Sequence, residues 1–148
     1  MLVELSGNLL DSPCNIIIHQ ANNRRVMGAG LAQQIRTKFP THYKQYLASP
    51  MKLGTSVVTR INDNLFVIAL IAQDGFGRDG RCYTNYNALE QCLAQLSERF
   101  QRSKFIPIIG IPHGMGAGLG GGNWNTIHQL IEHYFSAYDC RIYTYKRG

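Results

Sequence analysis

FIPIIGIPHGMGAGLGGGNW, residues 105–124, decides the reading of this chain. Its apolar start, Phe105 to Ile109, reads as a strand. A loop follows that holds seven glycines between Gly110 and Gly122. Trp124 then opens an amphipathic pattern, with Ile127, Leu130, Ile131, Tyr134 and Phe135 at helical spacing. The order is strand, glycine loop, helix. Glycines allow close backbone approach, and successive bare N–H groups line an anion-binding concavity. The following helix start adds partial positive charge. Phosphate groups are the expected occupants, and a ligand-free flexible loop is the plain alternative.

Outward from this stretch, strands and helices alternate. Val3–Leu5 and the run Asn15–His19 read as strands, the second buried because its apolar run is unbroken. Gly7 to Asp11 is a turn. Leu31, Ile35 and Phe39 recur at helical spacing up to Pro40, and His42–Leu47 reads as a further short helix. Thr55–Arg60 and Leu65–Ile71 flank Asn62-Asp63-Asn64, a hairpin signal. Residues 73–81 form a loop, Tyr86 to Phe100 a long helix, residues 124–137 a helix, and Ile142–Tyr145 a last strand. The alternation predicts an α/β fold of three layers, α/β/α, with a mixed central sheet. The 148 residues fit one domain, 1–148, with 45% hydrophobic content to fill its core.

The net charge of +6 favours anionic partners but is scattered, so nucleic acid is not indicated on this ground. No run of about 18 apolar residues suggests a membrane span. Cys14, Cys82, Cys92 and Cys140 lack metal-binding or redox spacing, so reduced thiols, a cytoplasmic setting and no metal or cofactor are expected. Gly116-Ala117-Gly118-Leu119-Gly120-Gly121 satisfies a dinucleotide fingerprint in form. That fingerprint belongs in a first βα turn with an acidic residue after the next strand, and here it lies near the C-terminus.

Two loops share a character. His19 to Gly30 and Ile111 to Gly120 each offer amides or imidazole first and then a Met-Gly-Ala-Gly tetrapeptide. Two anion-accepting loops side by side suit a diphosphate bridged to sugars, and the carboxamides of Asn22 and Asn23 suit ribose hydroxyls. His19 and His113, one near the start of each loop, are the groups suited to acid–base work or phosphoryl stabilisation; a packed histidine at a strand end is the alternative for each. His42, His128 and His133 read as surface or packing residues on helices.

The segment NIIIHQANNRRVMGAGLAQQIRTKFP, with GNLLDS before it and IPHGMGAGLGGGNW after it, resembles the macrodomain family over nearly the whole chain. Its compact subgroup includes terminal ADP-ribose-protein glycohydrolases, ADP-ribose 1″-phosphate phosphatases and small viral proteins. The resemblance implies ADP-ribose or a derivative as ligand, with nucleic acid a partner only when it is itself ADP-ribosylated. It implies Asn8 and Leu9 at adenine; the aromatic residues Phe76 and Tyr145 are read as covering the base or, alternatively, as closing hydrophobic edges. It implies Asn22, Met27, Gly28, Ala29, Gly30 and Leu31 at the distal ribose. Met115, Gly116, Ala117, Gly118, Leu119 and Gly120 would wrap the diphosphate, with Pro112 and Gly114 also expected at the ligand. The chain departs from that pattern. Where glycohydrolases of the subgroup carry a lysine and an aspartate, this sequence reads Gln73-Asp74 and Gly120. The expected activity is therefore hydrolysis of ADP-ribose 1″-phosphate, with His19, Asn22 and His113 as the catalytic set. A binding module and a de-ADP-ribosylating hydrolase with altered residues are the alternatives. The resemblance implies the cytoplasm, or a host's cytosol for a viral chain.

Overall fold

The computed structural model describes residues 2–145. Six strands form one sheet: β1 (Leu2–Ser6), β2 (Ile16–Asn22), β3 (Thr55–Asn62), β4 (Leu65–Gln73), β5 (Ile108–Pro112) and β6 (Asp139–Thr144). Their order is β1-β6-β5-β2-β4-β3, parallel throughout except for β3, which pairs antiparallel with β4 through the expected hairpin.

Alternation along the strands sorts side chains between two faces. Ile16 and Ile18 of β2, Ile68 and Leu70 of β4, and Ile109 and Ile111 of β5 meet Leu89, Leu93 and Leu96 of α3 (Tyr86–Arg102) and Ile127, Ile131 and Phe135 of α4 (Trp124–Phe135). Ile17, Val67, Ala69 and Ile71 point the other way, toward Ile35 and Phe39 beside α1 (Gly30–Lys38) and Tyr46 of α2 (Pro40–Ala48). This is the three-layer α/β/α arrangement that the alternation predicts.

Two boundaries differ from expectation. Pro40 does end α1, but it is also the first residue of α2, with Phe39 closing one helix and opening the next. A proline at a first helical turn gives up no intrahelical bond. The strand expected over 105–109 begins three residues later, at Ile108. Pro107 has no N–H for the ladder, and Ile106 is 80% exposed. Asn15 secures the entry instead: its side chain accepts from the Ile108 N–H at 2.6 Å and donates to the Ile106 carbonyl at 3.0 Å. Because β2, β4 and β5 run parallel, the loops after them emerge at one edge of the sheet.

Candidate functional site

The loop after β2 is shaped by one carboxamide. Asn22 Oδ1 accepts from the Arg24 N–H at 2.9 Å and the Tyr46 hydroxyl at 3.0 Å, while Nδ2 donates to the Val26 carbonyl at 2.8 Å. Tyr46 also donates to the Asn22 carbonyl at 2.7 Å, and burial raises its phenol to about 12. Arg25, in the left-handed region at φ 63°, ties the loop to the end of α2 through the Leu47 and Ser49 carbonyls. The turn so formed delivers Gly28 to Gly30 to the start of α1. That helix has no side-chain cap, and among the described residues the N–H groups of Gly30, Leu31 and Ala32 have no acceptor.

The loop after β5 folds on itself. His113, Met115, Ala117, Gly121 and Gly122 direct their N–H groups to backbone carbonyls. Among the described residues, the N–H groups of Gly114, Gly116, Gly118, Leu119 and Gly120 have none. Gly114 and Gly116, at φ 78° and 77°, are where the chain needs glycine to make these turns. The two loops thus oppose eight unmet donors across a gap.

That gap holds two adjoining clefts. The smaller, ≈ 260 Å³, lies between Gly30–Ala32 and Pro112–Gly120. The larger, ≈ 620 Å³, runs past Asn22, Val26–Ala29 and Phe76–Arg78. Gln20, Ala29, Ala32, Gln73 and Leu119 border both. The lining residues include no carboxylate and no lysine, and Arg78 supplies a permanent cation. Such a lining suits an anion held by backbone dipoles.

No family model matches the chain. The chain is 28% identical over 143 residues to the DNA ADP-ribosyl glycohydrolase of Thermus aquaticus, an alignment covering 93% of this chain and 38% of that protein. It therefore spans well under half of that relative's length. Its structure matches the macrodomain of Thermus aquaticus DarG with a TM-score of 0.76 at 24% identity, over 99% of both chains. The chain has the macrodomain fold. Thermosipho africanus DarTG in complex with ADP-ribose also matches, with a TM-score of 0.77 at 19% identity over 99% of this chain and 43% of that one.

Within this fold, most residues expected at the ligand do border the clefts. They are Asn22, Met27, Gly28, Ala29, Gly30, Leu31, Pro112, His113, Gly114, Met115, Gly116, Gly118, Leu119 and Gly120. Five do not. The Asn8 carboxamide caps its own 3-10 turn, accepting from the Leu10 N–H and donating to Asp11. Leu9 is buried in the core. Asn23 binds Asp74 and the Gly75 N–H, bracing the loop after β4. Ala117 packs against the α3–α4 core. Tyr145 stands 61% exposed outside both clefts.

The expected catalytic set is not brought together as drawn from sequence. Asn22 is committed to its loop. His19 does not project toward the first glycine loop but turns toward α2, because its strand position faces the α1–α2 layer. Its Nε2 meets His42 Nε2 at 2.8 Å, and only 2% of the residue is exposed. His42 is not a surface residue but fully buried. The Thr59 hydroxyl donates to Gln45 Oε1 and so accepts from His42 Nδ1, at 2.8 Å. His42 Nε2 then carries the lone pair, and His19 Nε2–H donates to it. This leaves His19 Nδ1 bare and without a partner. Burial, then the neighbouring His42, holds His19 well below the usual imidazole range, and burial lowers His42 to about 4. Both rings are neutral at neutral pH. His113 is exposed at the cleft rim, its ring 4.8 Å from Trp124.

Gln20, which lines both clefts, and Thr84, which it bonds, were not picked out from the motifs, whereas Phe76 and Arg78 of the 73–81 loop line the larger cleft. A glutamine on an otherwise apolar buried strand was the legible signal for Gln20. The others depend on where the 74–84 segment folds back, through Tyr83 and Thr84 donating to the Gly120 carbonyl.

Proposed function

We propose that this macrodomain binds ADP-ribose, with the diphosphate between the start of α1 and the Gly114–Gly120 turns and the distal ribose in the larger cleft. The observation that carries the reading is the facing array of N–H groups without acceptors, in a lining free of carboxylates. Unmet donors in a concave site are satisfied by an anion, and two sets facing each other suit two linked phosphates. The ADP-ribose complex of a structurally similar protein supports the choice of ligand.

Hydrolysis of an ADP-ribose derivative is the second reading. It is favoured by His113, an exposed imidazole at the cleft rim, and by the similarity to a DNA ADP-ribosyl glycohydrolase. ADP-ribose 1″-phosphate is the derivative that asks least of a cleft without lysine or carboxylate. Its hydrolysis needs diphosphate anchoring, ribose placement and one acid or base. Removal of ADP-ribose from modified DNA or protein would need an altered catalytic set.

One panel tests both readings. Calorimetry should show ADP-ribose binding more tightly than AMP or ribose 5-phosphate. Phosphate release from ADP-ribose 1″-phosphate, and ADP-ribose release from modified protein and DNA, should identify any turnover. Equal affinity for AMP and ADP-ribose would refute the extended site. Tight binding with no turnover on any substrate would leave the binding function alone.

A further inference from the structure

The opposite end of the sheet holds a cavity apart from both clefts. It measures ≈ 190 Å³ and lies under the last turns of α3, where β2 and β4 begin. Its floor is Ile16, Ile68 and Leu96, none more than 3% exposed. Phe66, Phe100 and Phe105 make its walls, and the Phe66 and Phe105 rings meet edge to face at 5.8 Å. Close-packed interiors leave few voids larger than a water molecule. An apolar cavity of about 150 Å³ elsewhere stays dry and takes up benzene. This one therefore has room for one aromatic ring or a short alkyl chain.

The rim carries charge of one sign. Arg99 and Ser103 are its polar residues, both exposed, and no carboxylate lines the cavity. Glu98, the acid beside Arg99 in sequence, is taken by Arg102. Among the described residues, neither Arg99 nor the exposed Lys104 has a carboxylate partner. The Ser103 N–H already covers the Arg99 and Phe100 carbonyls at the end of α3. The guanidinium is thus the group that sets the charge of the rim. An apolar cavity under an unpaired guanidinium is complementary to a molecule with an apolar body and one carboxylate, which arginine grips through two parallel hydrogen bonds. A second copy of this chain is a poor occupant, because it would bring the same unpaired cations to the rim.

We propose that this cavity is a second ligand site, for a small free monocarboxylate. The ring or alkyl body lies on Ile16, Ile68 and Leu96, and the carboxylate on Arg99. The proposal stands apart from the ADP-ribose reading: the cavity and the clefts lie at opposite ends of β2 and β4 and share no residue.

The probe is 3-phenylpropionate, beside acetate, which lacks the body, and 3-phenylpropanol, which lacks the charge. Titration of the full chain followed by methyl NMR should give a Kd on the order of 1 mM or below for the acid. Overhauser contacts should run from its ring protons to the methyls of Ile16, Ile68 and Leu96. Acetate and the alcohol should bind at least about tenfold more weakly. Arg99→Met keeps an apolar stem at an exposed position and removes the charge. It should cost the acid about tenfold in affinity, as the loss of hydrogen bonds to a charged group does, and leave the alcohol unchanged. Saturating ADP-ribose should leave the acid's affinity within about twofold. No contact to these methyls at ~10 mM acid, an alcohol that binds as tightly as the acid, or wild-type affinity in Arg99→Met would each overturn the proposal. So would displacement of the acid by ADP-ribose, which would place it in the clefts instead.

Discussion

Replacing Gly118 by glutamate should abolish ADP-ribose binding and leave the fold intact. A Cβ at Gly118 would meet no atom within 4 Å, and its φ lies outside the left-handed region. Neither packing nor backbone strain therefore opposes a side chain there. The carboxylate would stand on the turn whose free N–H groups face the smaller cleft. At about 5 Å and an effective dielectric of about 20, one carboxylate and one phosphate charge repel by roughly 3 kcal/mol. Two phosphate charges would double this, and the exposure of residue 118 roughly halves it again through solvent screening. A net loss of about 3 kcal/mol is on the order of a hundredfold in affinity. Gly118→Gln is the control: it adds the same bulk without the charge and should lose far less. Isothermal calorimetry reads the affinities, and thermal melting confirms that both variants are folded. Binding by Gly118→Glu within about threefold of wild type, under ~0.7 kcal/mol, would show that the diphosphate does not lie on this loop.

Gly110→Ala should act on folding instead: its Cβ would meet Leu9 Cδ1 at 2.6 Å and Cys14 Sγ at 2.9 Å, an overpacking that costs about 1–3 kcal/mol and lowers Tm. Acid should destabilise the protein through the buried imidazoles. With His42 at about 4 in the fold against 6.5 unfolded, its contribution is complete above pH 6.5 and falls away between pH 6.5 and 4. Its loss approaches about 3 kcal/mol at the lower end; urea unfolding at pH 7 and pH 4.5 measures it, and a flat profile would contradict the neutral pair. His19→Ala should lower stability and leave ADP-ribose affinity within about twofold; a folded variant with strongly reduced turnover would return His19 to the chemistry. Tyr46→Phe removes a hydroxyl shared by the Asn22 carbonyl and side chain. It should cost about 1–3 kcal/mol, read by thermal melting, and weaken ADP-ribose binding by loosening the first loop.

The sheet and both glycine loops were readable because their signals are local. Ile16 to Ile18 announce a buried strand, and the heptad-like spacing of Leu89, Leu93 and Leu96 announces a helix without any knowledge of neighbours. Strand β5 was read half a strand early because apolar character continues through Phe105 and Ile106, while the ladder begins only beyond Pro107. The side-chain chemistry was less readable, because strand alternation sends neighbours to opposite faces. His19 and Gln20 are adjacent in sequence, yet one meets α2 and the other meets Thr84 from a segment more than sixty residues away. Nothing local to His19 reveals His42 opposite it. The same distance hid the role of Asn22, whose carboxamide is claimed by Tyr46 and Val26.

The free donors of the second loop bear on how this protein would behave in a mixed solution. A cradle of main-chain donors recognises the oxyanion and says little about what is attached to it. Inorganic phosphate, sulfate and ordinary nucleotides would therefore all compete for Gly114 to Gly120, and an assay in phosphate buffer would understate affinity for the true ligand. Selectivity must come from the ends of a long molecule reaching past the cradle at once. Occupancy by ADP-ribose is then a contest of avidity against abundance, decided by the second and third contacts rather than by the first.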